Sequence, residues 1–205
     1  MHMLDNQGFD AWVSEYDKSV ADSDRADTYP FAGYTQILET IKRSILTVEQ
    51  AKVLDLGFGT CTLTKRLYDA GCEISGQDFS AGMVEAGRKK MPQAKLYRGD
   101  FSEGIAEDLK LRKYDFIIAT YSLHHLSDAL KTELLHQLPD LLKENGMILI
   151  GDVMFATEEE MEACRRKAGE EWDEEEIYIV VEKFRTAFPD LVFTKVSHCG
   201  GILSL

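Results

Sequence analysis

No stretch of the 205-residue sequence approaches the roughly 20 consecutive apolar residues that a bilayer-spanning helix needs. The opening MHMLDNQGFD has no basic region followed by an apolar one, so no secretory signal is expected. Cysteine is sparse. Cys61, Cys72, Cys164 and Cys199 form no CxxC pair and no Cys/His spacing of zinc-finger type. Reduced thiols in a cytoplasmic protein are the expectation. Positive charge is also short, with 23 Lys and Arg against 36 Asp and Glu and a net charge of −13. The runs Arg88-Lys89-Lys90 and Arg165-Arg166-Lys167 are too brief to offset that repulsion, which argues against a nucleic-acid partner. Internal repeats and low-complexity linkers are absent.

What is present is an ordinary globular composition, 44% hydrophobic and 29% charged, at a length that suits one α/β domain. Residues 1–48 read as N-terminal helices. The first covers about 4–20 with Leu4, Phe9, Trp12, Val13 and Tyr16 as bulky positions. The second covers about 31–46 with Ile37, Leu38, Ile41 and Ile45 on one face. From residue 51 to 154 strands alternate with helices. Strands are expected at AKVLDLG, CEISGQDF, AKLYRGD, YDFIIATYS and MILIGDV. The intervening helices are CTLTKRLYDAG, ended by Gly71, then AGMVEAGRKKM, capped by Ser80, and DALKTELLHQLPDLLKEN, capped by Ser127, irregular near Pro139 and with Gly146 just past its end. Such alternation implies a parallel sheet wound on both faces, and the unbroken apolar runs of the fourth and fifth strands fit burial on both sides.

Residues 155–188 read as an acidic helical section. Thr157 and Glu160 have capping-box spacing, Met161, Cys164, Ala168 and Trp172 follow at helical intervals, and a further helix is expected from about Asp173 with Ile177, Val180, Val181, Phe184 and Phe188 inward. Residues 157–176 carry ten acidic and three basic side chains, a net of −7. Consecutive glutamates point in different directions around a helix, so a solvated face is expected rather than a metal site. The tail, residues 190–205, reads as two strands joined around Cys199-Gly200-Gly201, a closing hairpin with one strand antiparallel to the rest.

The most specific signal is KVLDLGFGTCTLT, a buried strand, a glycine turn at Gly57 and Gly59, and a helix start. Glycine lets the chain bend and lets a ligand approach where a Cβ would intrude, and N–H groups at the helix start face that ligand. Asp78 closes the second strand, 21 positions beyond Gly57, and Asp100 closes the third. Asp55 lies two positions before the turn. Carboxylates at the ends of successive strands, in register with a glycine turn, mark the ligand crevice of an open α/β sheet.

Through VLDLGFGT, GQDFSAGM, YRGDF, YDFIIATYSLHHL and LLKENGMILI, the chain resembles the class I S-adenosylmethionine-dependent methyltransferases. FDAWVSEYD and SHCGGI are similar to the small YrrT-like group within them. The resemblance implies a Rossmann-like doubly wound seven-stranded sheet with the last strand antiparallel. It implies S-adenosylmethionine as cofactor, with Gly57 and Gly59 beneath its methionine part and Asp55 near its amino end. Asp78 would meet the ribose and Asp100 the adenine amino group, with Met83 and Phe101 against the ring. Thr120 and Tyr121 would line the methyl-transfer pocket, and Tyr16 with Asp17 would form a lid.

A nicotinamide-type dinucleotide site would place a glycine where Thr62 stands and has no need of Asp55 or Asp100. After the fourth strand the sequence ATYSLHHL lacks both the Asn/Asp-Pro-Pro-aromatic run of amine methyltransferases acting on adenine or glutamine and the Pro-Cys of cytosine C5 enzymes. With the acidic charge, that directs the reading to a small-molecule acceptor. The candidates for acid–base work are His124, His125 and Tyr121. Neighbouring histidines with no carboxylate at ligand spacing argue against a metal there. The other open reading is a cofactor- or partner-binding protein of this fold without catalysis.

Overall fold

The computed structural model describes residues 18–205. Tyr16, with Phe9, Trp12 and Asp17, lies outside the described residues. Residues 18–26 are helical (α1), followed by α2 (Tyr34–Ile45), β1 (Lys52–Leu56), α3 (Thr62–Asp69), β2 (Glu73–Asp78), α4 (Ala81–Lys90), β3 (Lys95–Arg98), α5 (Glu107–Lys110) and β4 (Tyr114–Thr120). The chain continues through α6 (Asp128–Gln137), β5 (Leu142–Phe155), α7 (Glu158–Ala168), β6 (Ile179–Val180), α8 (Val181–Phe184), β7 (Val192–Lys195) and β8 (Gly200–Ser204).

Seven strands run in the order β3-β2-β1-β4-β5-β8-β7, and the two-residue β6 pairs with β5 off that path. Pairings from β3 through β5 are parallel, while β8 lies antiparallel to both β5 and β7. This is the doubly wound sheet with an antiparallel last strand that the alternation and the tail pattern predict. Adjacent strand residues face opposite sides of the sheet. Val53, Ile118 and Leu149 pack with α2, α3 and α4 residues such as Ile41, Leu67 and Val84. Leu54, Ile117 and Ile150 pack with Leu109, Leu134 and Leu135 on the other side. Both faces are dry, which is why these strands read as continuous apolar runs.

Capping follows the sequence. The Ser80, Ser127 and Thr157 hydroxyls accept from the N–H groups of Met83, Leu130 and Glu160, each at 3.3 Å.

Two helices differ from expectation. The helix after Ser127 stops at Gln137 and tightens into a 3-10 turn at Leu138–Leu141, and residues up to Asn145 and Gly146 belong to β5. Pro139 supplies no N–H to continue the helical ladder, and β5 then enters through an irregular pairing opposite Tyr114 and Phe116. The helix expected from Asp173 is reduced to the single turn of α8. Residues 173–178 are extended or bent, and Ile179 and Val180 pair with Met154 and Phe155 at the end of β5. The apolar, β-branched run satisfies a sheet edge better than a helix face. Tyr178 is buried against Tyr29 and Trp172.

Candidate active site

The carboxyl ends of β1 to β5 converge on one edge of the sheet, and every candidate side chain among the described residues comes from there. At the end of β1 the chain turns through Gly57 (φ 77°) and Gly59 (φ 48°). A Cβ on Gly57 would stand 2.5 Å from the Ser122 Cβ, while one on Gly59 would meet nothing within 4 Å. Gly57 is therefore dictated by close packing and Gly59 opens onto free space. The turn is held to β2 by Gly57 N–H donating to the Gln77 carbonyl (2.8 Å) and Gly59 N–H to Asp78 Oδ2 (2.9 Å).

Cys61 follows in the left-handed region (φ 69°) as the residue preceding α3. It is buried, and its Sγ would lie 3.3 Å from a Cβ at Gly87. Burial, helped by Asp55, pushes the thiol up to about 12. The cysteine is a packing residue between the turn and α4, and the lowered thiol that a helix start could give is not found.

Asp55 is 1% exposed. Its Oδ2 accepts the Thr64 hydroxyl (2.6 Å), and Oδ1 has no hydrogen-bond partner among the described residues. Burial pushes the carboxyl up to about 7 against the Thr64 hydrogen bond, and the neighbouring Asp78 adds to the rise. Asp78 is buried and clamps the corner, accepting from Gly59 and Ser80 N–H through different oxygens. Each of its oxygens keeps a second lone-pair direction. Burial raises its pKa against those two hydrogen bonds. Beside it Phe79 is 61% exposed, a bare aromatic face that sequence reasoning passed over although it adjoins Asp78. Met83 and Phe101 are buried close by, with Phe101 Cε1 at 3.3 Å from the Gly57 Cβ position. Asp100 is exposed and caps its own loop by accepting from Ser102 N–H (2.8 Å).

At the end of β4, Thr120 is half-buried and Tyr121 adopts φ 50°. The Tyr121 ring packs between Phe31 and Tyr34 (centroids 5.5 and 4.9 Å), and its buried hydroxyl lacks a hydrogen-bond partner among the described residues. Burial raises its pKa well above the usual phenol range, with Asp152 and Cys199 adding to it, so the hydroxyl keeps its proton.

His124 and His125 occupy a 3-10 turn at Leu123–His125. His124 is buried with Nδ1 at 2.7 Å from Asp152 Oδ1, and Leu123 N–H donates to Asp152 Oδ2 (3.1 Å). Burial works to lower its pKa, but the charge and hydrogen bond of Asp152, with Glu176, carry it above the ordinary value. His125 is exposed, and desolvation with the neighbouring His124 lowers its pKa. Glu176 Oε1 comes to 3.4 Å from His124 Nε2. Donor atoms of His124, His125 and Glu176 all lie within 4.8 Å of one another, so a carboxylate distant in sequence joins the two imidazoles at this turn.

Sequence reasoning missed Asp152, Glu176 and Lys131. The signal for Asp152 was available, since a lone aspartate within MILIGDV must be buried and buried charge needs a partner. Glu176 had no local signal, one glutamate in a run of them.

A glycine turn flanked by buried carboxylates, in a sheet of this order, defines a Rossmann-like cofactor-binding protein. Residues 53–146 match the family described as Methyltransferase domain. An uncharacterized methyltransferase of Oceanobacillus iheyensis is 34% identical over 88% of this chain and 84% of its own length. The uncharacterized methyltransferase YrrT of Halobacillus halophilus is 26% identical over 78% of this chain and 72% of its own. The structure of magnesium protoporphyrin IX methyltransferase from Synechocystis with bound S-adenosylhomocysteine superimposes with a TM-score of 0.66 at 17% identity, covering 85% of this chain and 83% of that one. The chain belongs to the methyltransferase family, whose cofactor is S-adenosylmethionine. Among the described residues no helix is long and apolar enough to cross a membrane.

Proposed function

We propose that this protein transfers a methyl group from S-adenosylmethionine to a small-molecule acceptor by in-line displacement. The observation that carries the reading is the unpartnered, buried Asp55 Oδ1 at the glycine turn. A carboxylate oxygen left without a donor fits a ligand that brings a cationic amino group, as this cofactor does. The rest of the residue set agrees. Gly57 and Gly59 open the turn, Asp78 retains acceptor capacity for ribose hydroxyls, and Phe79, Met83 and Phe101 offer apolar surface for a purine with Asp100 at its edge. When bound, the cofactor supplies a methyl already activated on a sulfonium centre. The protein's part is then alignment and exclusion of water. Thr120, Tyr121, His124 and His125 at the end of β4 form the acceptor side, and Tyr121, held protonated, serves as a donor rather than a base.

The net charge of −13 and the sequence after β4 support a small, non-nucleic acceptor. The fold neighbour named above acts on such a molecule, a magnesium porphyrin. Four free, buried cysteines support a cytoplasmic setting. Calorimetry with S-adenosylhomocysteine, followed by turnover of labelled cofactor against a metabolite panel, tests the reading. No heat of binding overturns it. Binding without turnover on any acceptor favours the non-catalytic cofactor-binding protein instead.

A further inference from the structure

Glu176 Oε1 and His124 Nε2 stand 3.4 Å apart. A charge-assisted hydrogen bond would draw them to about 2.7–2.9 Å. Two donors on one ion, each about 2.1 Å from it and at a tetrahedral angle, sit roughly 3.4 Å apart. We propose that His124 Nε2, His125 and Glu176 bind a divalent first-row transition-metal ion at the carboxyl end of β4.

The surroundings of the three donors are built as a supporting shell. His124 Nδ1 is engaged by Asp152, which is fully buried on β5. That bond fixes the ring and turns Nε2 outward, the carboxylate–histidine arrangement that orients metal-bound imidazoles. The Asp152 carboxylate is itself held by N–H groups of Leu123 and Val153. Glu176 Oε2 accepts the Tyr178 hydroxyl at 2.8 Å, leaving Oε1 toward the imidazoles. Tyr178 in turn is hydrogen-bonded to Tyr29, whose hydroxyl accepts from Asp173 N–H.

Two bonds bring the glutamate segment to the histidine turn. Ile177 N–H donates to the His124 carbonyl (2.8 Å), and the buried Lys131 Nζ donates to the carbonyls of both Ile177 and Leu126. The site is reachable, since His125 is exposed and Glu176 half-buried. Two imidazoles and one carboxylate suit zinc, manganese, iron(II) or cobalt better than magnesium or calcium, which take oxygen donors. Three protein donors leave positions open for an exogenous ligand.

A second set of donors, Cys164, His198 and Cys199, also lies within 4.8 Å, so the test must separate the two. The full-length protein is titrated with Co(II), monitored by its visible absorption, alongside His125→Ala and Glu176→Gln. Both substitutions lie away from the core, and each variant's melting curve and S-adenosylhomocysteine binding report its folding. The expected result is one equivalent of Co(II) bound without a thiolate-to-cobalt charge-transfer band, with affinity at least 10-fold weaker in both variants. Asp152→Asn should weaken it by about 10–100-fold. No Co(II) binding, binding unchanged in both variants, or a thiolate charge-transfer band that survives them would each overturn the site. Because S-adenosylhomocysteine binding is measured on the same samples, failure of the metal site is distinguishable from failure of the methyltransferase reading.

Discussion

The end of the cleft that we assign to the cofactor and the end that we assign to the acceptor are built differently. At the cofactor end Asp55, Gly57, Gly59 and Asp78 come from two adjacent strands and the turns that follow them, and the backbone itself supplies most of the bonds. At the acceptor end His124, Asp152, Tyr29 and the Glu176–Tyr178 pair come from four separate segments, and side chains supply the bonds. A site made by local backbone geometry leaves a motif in the sequence. One assembled by tertiary contact between distant segments leaves scattered polar residues with no common spacing.

Substitutions that damage one end and spare the other sharpen this contrast. The largest effect is expected from Gly57→Val, which meets both a left-handed backbone and a Cβ 2.5 Å from the Ser122 Cβ. We expect a stability loss of about 3 kcal/mol or more and no detectable S-adenosylhomocysteine heat. Near-normal binding would mean the turn tolerates far more than its geometry allows.

Lys131→Met attacks the other end. It leaves the Leu126 and Ile177 carbonyls without their donor, at about 1–3 kcal/mol each. Hydrogen exchange should quicken around residues 173–178 while S-adenosylhomocysteine affinity stays within about twofold of wild type, a range small beside 1.4 kcal/mol per tenfold. A parallel loss of that affinity would show the two ends to be coupled.

Asp55→Asn should lower affinity by about 10–100-fold, the worth of a charge-assisted hydrogen bond. It should act oppositely on the ligand-free protein. The folded carboxyl titrates at about 7, above an unfolded value near ~3.9. The folded state therefore holds an extra proton between those values. That contribution to stability is complete below about pH 4 and lost as pH rises through about 7. Melting curves should show Asp55→Asn gaining on wild type as pH rises from about 4 to about 7, with no further gain above that, and an unchanged difference across that window would refute the raised carboxyl.

The smallest effect is expected from Cys61→Ala. Methyl transfer should survive with a stability change of about 1 kcal/mol, and the native thiol should resist alkylation at pH 7.

The alternation of strands and helices, the two dry faces and the three serine and threonine caps were legible because period and capping chemistry are local, whereas the order of the strands is set by tertiary pairing. Pro139 announced an irregularity, but not that residues 142–146 would join β5. Residues 173–180 were misread because their apolar spacing suits a helix as well as a strand, and only the end of β5, which extends past β4, decides between them. The carboxylates at the ends of successive strands were visible in order and spacing. Phe79 was visible too, but nothing short of its exposure separates it from a core aromatic. Lys131 carries no local signal in the sequence and is fully buried.

The raised carboxyl of Asp55 has a calorimetric signature. A cationic group docking on Oδ1 favours the ionised form, so at pH 6 to 7 ligand uptake expels a proton into the buffer. The measured heat then includes the buffer's own ionisation enthalpy. Titrations in phosphate and in Tris at one pH should differ by that enthalpy times the fraction of a proton released, and Asp55→Asn should abolish the difference.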